Sequence, residues 1–439
     1  MKKVLPANQE VLSKLNQLRI KVNSGKTINS LGLVSKSLLD YQMVTLQRGI
    51  KVIEKIKSNE IQTSNINFLL DAVLIKPVSD ECNLQCTYCY QGIDQERING
   101  KMSLTTLETV LREVLSMKHG KLSFAWHGGE PLLRGLDFYK KAMEYQRKYN
   151  IHNINISNSI QTNGILINQD WIDFFKKENF VIGISLDGNI SQHDFYRVDK
   201  QGKGSYEKVA ESISALINNN LIPNCITVIN STHIGKAKEF FNSILSLGLK
   251  KFDIHPSFGF NGPNDKTNIA IKDYCEFMYE IFQLWINKND YSVRIRVFDE
   301  FFKTFIGEKS DICYYSGTCS KIIAFNADGV AIPCTRPFDN EWQFGNILEN
   351  PLKEILVSEK WKLFKLFEKK GQQYSKDCKW ENICFGGCPQ HRYKNGKQDI
   401  TSINYLCNCE SNDNDGIGLL WQKLFDETCQ QIDKSLIVA

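Results

Sequence analysis

Beyond residue 68 the apolar positions switch repeatedly between two periods. Short apolar or alternating runs at 72–78, 122–127, 154–161, 180–186, 224–229 and 251–255 read as strands. Stretches with apolar positions three or four apart at 136–149, 169–177, 205–219 and 233–247 read as the helices between them. Strand and helix in turn predict βαβ units and a parallel sheet. Six or more repeats suit a barrel or partial barrel, whose functional residues gather at the C-terminal strand ends. Residues 1–67 read differently. Val11, Leu12, Leu15 and Leu18 recur at helix spacing and 38–56 repeats the pattern, so a helical N-terminal extension is expected. An α/β core over 68–300 and a cysteine-rich domain over 301–439 follow it. In the extension Lys and Arg outnumber Asp and Glu by eleven to four. That suits either a helical cap with a solvated basic face or a docking surface for an acidic peptide.

Composition narrows the class. With 42% hydrophobic and 23% charged residues in 439, the chain is an ordinary soluble globular protein of two or three domains. A net charge of +5 is too slight to argue for nucleic acid. No apolar run is long enough to span a membrane, and no signal-peptide core follows Met1-Lys2-Lys3, so the expected location is cytoplasmic. Fourteen cysteines in such a chain are not expected to form disulfides. Most fall in tight clusters, which points to metal, whereas Cys225, Cys275 and Cys429 stand alone on apolar stretches as core residues.

The densest cluster is Cys82-Asn83-Leu84-Gln85-Cys86-Thr87-Tyr88-Cys89, at the end of the first strand. Iron–sulfur clusters are held by cysteine thiolates, normally four. Three on one loop leave the fourth iron of a [4Fe–4S] cube open, and an open position is what distinguishes a catalytic metal site. A zinc half-site from Cys86 and Cys89 is the competing reading of the loop alone. Three later strand ends carry polar signals: Gly128-Gly129-Glu130-Pro131 after Trp126-His127, then Gln161-Thr162-Asn163-Gly164, then Ser185-Leu186-Asp187-Gly188 followed by His193, Asp194 and Arg197. Each alone is an ordinary turn. At successive strand ends they read as the lining of one pocket.

The C-x3-C-x-Y-C spacing with these strings resembles the radical S-adenosylmethionine (SAM) enzymes over roughly residues 70–410, most closely those of the anaerobic sulfatase-maturase type. The resemblance implies a partial (β/α)6 TIM-like barrel. It also implies a SAM-binding [4Fe–4S] cluster on Cys82, Cys86 and Cys89, and reductive cleavage of SAM to a 5′-deoxyadenosyl radical. By the same resemblance Gly128, Gly129 and Glu130 take the SAM amino group, and Tyr88, Ser185, Arg197 and Phe258 line its site. Arg197 is the natural partner of the SAM carboxylate, because its planar fork suits bidentate pairing. His127 stands where that type has Gln, and a structural and a catalytic role are both open to it.

A second cysteine field runs Cys313, Cys319, Cys334, Cys378, Cys384, Cys388, Cys407 and Cys409, with a hairpin turn expected at Asn326-Ala327-Asp328-Gly329. It resembles the SPASM extension of radical SAM enzymes, which implies two auxiliary [4Fe–4S] clusters. One would be held by Cys313, Cys319, Cys334 and Cys388, the other by Cys378, Cys384 and Cys407. The family's further ligand is replaced by Ser375, with Cys409 as the candidate substitute; a zinc ribbon is the alternative for this field. Sulfatase maturases place an Asp base after the cysteine matching Cys334, whereas this chain has Thr335 and, further on, Asp339. Asp339 and His127 are therefore the weak candidates for a catalytic base. The block from Cys384 to Tyr393 looks instead like the version in ribosomal-peptide maturases, including cyclophane-forming ones. The expected function is a radical SAM peptide maturase that oxidises, and cross-links, side chains of a precursor peptide, fed by an external electron donor such as flavodoxin or ferredoxin. The alternatives are a formylglycine-generating sulfatase maturase and, more remotely, a non-catalytic iron–sulfur electron carrier.

Overall fold

The computed structural model describes residues 6–23, 31–42, 70–91, 100–117, 120–257, 267–336, 340–373, 378–394, 397–399, 404, 406–407 and 416–438. Phe258, Asp339, Ser375, Cys409 and most of the helical pattern expected at 38–56 lie outside the described residues.

Six parallel strands form in sequence order: β1 (Ala72–Ile75), β2 (Lys121–Trp126), β3 (Asn155–Thr162), β4 (Val181–Ser185), β5 (Asn224–Ile229) and β6 (Lys251–Pro256). A helix follows each: Leu104–Leu115, Leu136–Tyr149, Gln169–Lys177, Tyr206–Asn218, Ala237–Ser246 and Ile271–Lys288. This is the expected partial (β/α)6 barrel, with helix Pro6–Asn23 and a helix at 33–42 ahead of it. A short β7 (Arg294–Ile295) closes one side beside β6. The expected hairpin is present as β8 (Ile322–Phe325) and β9 (Val330–Ile332), with β10 (Gly345–Asn346) beyond it. The strand order is β10-β9-β8-β1-β2-β3-β4-β5-β6-β7. Local patterning did not foretell that β8 lies parallel to β1, with Ala72 opposite Ile322 and Ile75 opposite Phe325.

Alternation along the strands explains what the barrel does with its two faces. On β2, Leu122, Phe124 and Trp126 are fully buried under the helices. Their neighbours Ser123, Ala125 and His127 point to the concave side and are only half buried. Ser123 and Ser157 hydroxyls meet there at 2.9 Å, and Gln161 Nε2 donates to Ser185 Oγ at 2.9 Å. The concave face is thus small and polar, and a cavity of about 490 Å³ runs along it past His127, Gln161, Ile226, Asp253 and Arg296. Even the helix side holds one buried polar contact, in which Asn158 and Gln146 exchange amide hydrogen bonds and Trp126 Nε1 donates to Asn158.

Helix caps follow from local residues. Ser103 and Asn168 accept from backbone N–H groups three residues on, as N-cap residues do. The C-terminal helix Ile417–Val438 packs on Ile271–Lys288 and Pro6–Asn23, and Trp421 stacks on Phe301 of helix Arg296–Phe305 with rings 5.8 Å apart. No helix among the described residues is long and apolar enough to cross a membrane.

The turn after β2 is the tightest place in the barrel. A Cβ on Gly129 would lie 2.0 Å from the Glu81 carbonyl oxygen and 2.7 Å from the Asp80 carbonyl carbon. Gly129→Ala is expected to lower stability by about 1–3 kcal/mol through overpacking, read as a shift in the urea midpoint. Gly120→Ala, which meets nothing within 4 Å, should leave that midpoint in place.

Candidate functional site

The loop with Cys82, Cys86 and Cys89 is gripped by main chain on two sides. From β2, Gly129 N donates to Ser79 O and Glu130 N to Glu81 O, both at 2.8 Å. From the segment after β4, Val198 O accepts from Gln85 N at 2.8 Å and Tyr196 O from Thr87 N at 2.9 Å. Asn163, at the end of β3, closes a third side: its Nδ2 donates to Asn83 Oδ1 at 2.8 Å and approaches Cys82 Sγ at 3.7 Å. The paired glycines therefore serve a close approach, but to the cysteine loop's own backbone. Burial, with Glu130 and Cys89 adding, pushes the Cys82 thiol up to about 11. Burial also lifts Cys86 to about 12, with Cys89 and Cys82 adding and Arg197 opposing. The three thiols are near neighbours with a cation beside them, a donor set that fits an iron–sulfur cluster. Among the described residues no three His, Cys, Asp or Glu side chains converge as the ligands of a single ion do.

Glu130 and Asp187, both fully buried, organise the polar strand ends. Glu130 accepts from Leu132 N at 3.0 Å, Thr162 Oγ1 at 2.8 Å and Asn163 N at 2.7 Å, tying the glycine turn to β3. Its carboxylate is occupied within the protein, so its place is one of positioning. Burial raises it to about 7 against the pull of those donors. Asp187 accepts from Arg197 Nε at 2.7 Å, Val228 N at 2.9 Å and the Tyr88 hydroxyl. Burial opposes its ionisation, yet Arg197, His193 and Tyr88 hold the carboxyl below its usual range. Asp187 takes the Nε of Arg197, and the guanidinium charge acts on Cys86. Tyr88, Ser185 and Arg197 are brought together around Asp187 and β4. The sequence carried Asp187 within a strand-end string read as pocket lining, without this organising role.

His127 accepts Gly128 N at Nδ1 over 2.7 Å and is half buried; its loss of solvent, with Lys76 and Arg336 nearby, holds it down to about 4. It is a neutral imidazole under the glycine turn.

In the second field Cys313, Cys319, Cys334 and Cys388 are mutual neighbours. The hydrogen bond between the first two pulls Cys313 down to about 7 and pushes Cys319 well up. Burial pushes Cys334 up to about 11, with Cys313 and Cys388 acting on it. Cys378 lies by Cys384, and Cys407 shares a chamber with Cys384 but is disulfide-bonded, against the expectation that no disulfide forms. Two cations, the buried Arg392 and the half-buried Arg336, stand among these thiols. Arg392 donates to the Gly386 and Gly387 carbonyls at 3.1 and 3.2 Å. Arg336 lies against Cys388, Tyr314, Cys334 and Tyr90 and places Nη1 3.2 Å from His391 Nε2. Glu368 accepts from Cys319 N at 3.0 Å.

The two fields meet. Gln91, just past Cys89, donates to the Thr335 carbonyl at 3.4 Å, and Thr335 is 7% exposed. The chamber between the β6 end and the second field is lined by His255, Tyr314, Arg336, Cys388 and His391. His255 and Asp253 were missed as site residues, although their period-two spacing at a strand end was the available signal.

Histidines held neutral by desolvation make the fold acid-sensitive. Burial holds His193 down to about 3 and His127 to about 4, against about 6.5 in an unfolded chain. Between those values the unfolded chain binds more protons, so stability is lost as pH falls from about 6.5 toward 4, at about 1.4 kcal/mol per unit for each such group. Glu130 acts in the opposite sense between about 4.5 and 7. Urea unfolding at stepped pH should show the decline, and His193→Gln should flatten it.

Comparison with known proteins gives these arrangements a family. Residues 77–242 match the model described as the radical SAM superfamily, and residues 313–388 the SPASM model, described as an iron-sulfur cluster-binding domain. A cysteine-type anaerobic sulfatase-maturating enzyme from Clostridium novyi (strain NT) is 35% identical over 343 residues, 75% of this chain and 91% of the relative. Native anSMEcpe, solved with bound AdoMet and Cp18Cys peptide, superposes with a TM-score of 0.72 at 30% identity, over 84% of this chain and 99% of that one. Streptococcus suis SuiB bound to precursor peptide SuiA shares the fold, with a TM-score of 0.57 at 16% identity over 82% of this chain and 80% of that one. The chain belongs to the family of the anaerobic sulfatase-maturating enzymes, radical SAM enzymes with a SPASM domain.

Proposed function

We propose that this radical SAM enzyme oxidises a Cys or Ser side chain of a peptide substrate, as the names of its sulfatase-maturating relatives suggest. The observation that carries the reading is the contact of the two cysteine fields through Gln91 and Thr335. It supports a radical-generating site and electron-accepting sites that adjoin each other. SAM and iron–sulfur clusters are the family's cofactors, and they supply the 5′-deoxyadenosyl radical and the sinks for electrons. In this reading Cys82, Cys86 and Cys89 would hold the first cluster, and the Nη nitrogens of Arg197 would pair with the SAM carboxylate. Asp187 would fix the fork by holding Nε, and Glu130 would fix the loop that presents the thiolates. Cys313, Cys319, Cys334 and Cys388 would hold a second cluster; Cys378 and Cys384 would serve a third, joined by Cys407 once its disulfide is reduced.

The relatives favour this reading over the cross-linking maturase expected from the Cys384–Tyr393 block, because the likeness to SuiB reaches the fold alone. One observation keeps the cross-linking reading in play: Thr335 is a very poor base where sulfatase maturases have Asp. Reconstituted enzyme with SAM, a reductant and sulfatase-derived Cys or Ser peptides should yield an aldehyde that a hydrazide reagent traps. Peptides that lose two hydrogens without becoming trappable would decide for cross-linking. Cys86→Ala should abolish 5′-deoxyadenosine release while iron stays bound at the C-terminal cysteines; retained cleavage would refute the ligand assignment.

A further inference from the structure

We propose that His255, its ring held by Asp253, is the general base that takes the proton from the substrate's side-chain thiol or hydroxyl; the assignment rests on the sulfatase-maturase reading above. The need is chemical. Converting CH2–XH into CH=X, with X sulfur or oxygen, removes a hydrogen atom from Cβ, one electron, and the proton on X. The hydrogen atom goes to the 5′-deoxyadenosyl radical and the electron to an iron–sulfur cluster, acceptors that the family's cofactors supply. The X–H electron pair becomes the second C–X bond, so the proton must pass to a base. Where X is sulfur, the thioaldehyde takes up water and releases hydrogen sulfide to give the same aldehyde.

The described side chains of the chamber and of the two cysteine fields narrow the choice of that base. The Thr335 hydroxyl is a very poor one. His127 spends Nδ1 on Gly128 N, so its remaining nitrogen carries the proton and donates. His391 Nε2 faces the guanidinium of Arg336 at 3.2 Å, and further positive charge on that ring is opposed. Burial pushes the Tyr314 hydroxyl up, and an un-ionised phenol is a weak acceptor. Glu130 and Asp187 are clamped by their own loops.

His255 meets the geometric requirement. It sits at the C-terminal end of β6, where this architecture gathers its chemistry. It shares a strand face with Asp253 two residues earlier. Its Nε2 is 3.3 Å from Asp253 Oδ2, and Arg296 Nη1 is 3.2 Å from the same oxygen. Asp253 is 7% exposed, and although burial opposes its charge, His255 and Arg296 hold the carboxyl well below its usual range. A carboxylate facing Nε2 fixes the proton there and leaves the Nδ1 lone pair for the chamber. Tyr274, Tyr314, Tyr315, Arg336 and His391, with the sulfurs of Cys384, Cys388 and Cys407, are the titratable and charged groups facing that space from other elements. Asp253 is a positioning residue in this scheme, and the arrangement is that of a base oriented by a third group.

Two measurements on the full-length protein test the assignment. First, long-range proton–nitrogen spectra of histidine-labelled protein should show His255 as the Nε2–H tautomer, and Asp253→Asn should disturb it. A tautomer protonated at Nδ1 in the wild type would overturn the proposal. Second, reconstituted enzyme is given a sulfatase-type Cys or Ser peptide deuterated at Cβ. Wild type should form deuterated 5′-deoxyadenosine and aldehyde in equal amounts. In His255→Gln the aldehyde formed per deuterated 5′-deoxyadenosine should fall by about tenfold or more and recover partly at higher pH; Asp253→Asn should give a smaller fall. Iron content and circular dichroism matching wild type exclude a folding defect. An unchanged ratio in His255→Gln, or a fall seen only in Asp339→Asn, overturns the base assignment alone. Absence of aldehyde from the wild type overturns the parent reading and this one with it.

Discussion

The site depends on a main-chain grip around eight residues. Four backbone hydrogen bonds, two from the glycine turn after β2 and two from the segment carrying Arg197, hold the loop of Cys82, Cys86 and Cys89. Side-chain bonds would let the loop breathe with each rotamer. Main-chain bonds fix the Cα positions, so the thiols are set by the sheet itself. This is why Gly129 admits no Cβ, and why Glu130 and Asp187 spend their charges inside the protein. Both carboxylates stiffen the frame on which ligands would be presented, a support that a precise site needs.

The second constraint is the placement of β8 against β1. Lys76 N donates to Phe325 O at 2.9 Å, and Ala327 N donates to Ser79 Oγ at 3.1 Å. The cysteine hairpin is therefore built on the same strand that launches the first cysteine loop. Arg336, two residues past Cys334, reaches Tyr90 and His391 at once. Charge in the chamber is consequently shared between the two fields, and neither can be retuned alone.

Much of this was legible in the sequence, for a simple reason. Period-two and period-3.6 patterns are local, and they returned all six barrel strands with small shifts at their ends. In the second field Cys313, Cys319, Cys334 and Cys388, which the family likeness put together, lie near one another. What stayed hidden was direction and partnership. Gly128 and Gly129 announced a close approach but not to what, and the answer was the backbone at 79–81. Glu130 read as a ligand contact because a motif names residues and not where their oxygens point. Parallel pairing of β8 with β1 leaves no local trace, since nothing in Ile322–Phe325 identifies its partner. Asp253 and His255 were the avoidable miss. An acid and a histidine on one face of a strand end are visible by counting to two.

The β8–β1 pairing also bears on how the chain comes into being. Nearly the whole barrel separates the two strands along the sequence, so their contact is among the most non-local in the molecule. Loops of that length close late and slowly. Until Ile322–Phe325 has left the ribosome, β1 is an open edge with unpaired N–H and C=O groups, the kind of surface that templates aggregation. The first cysteine loop hangs from that edge. Assembly of the SPASM hairpin is thus the step that seals the barrel, and premature oxidation of the exposed thiols would be a hazard of the nascent chain.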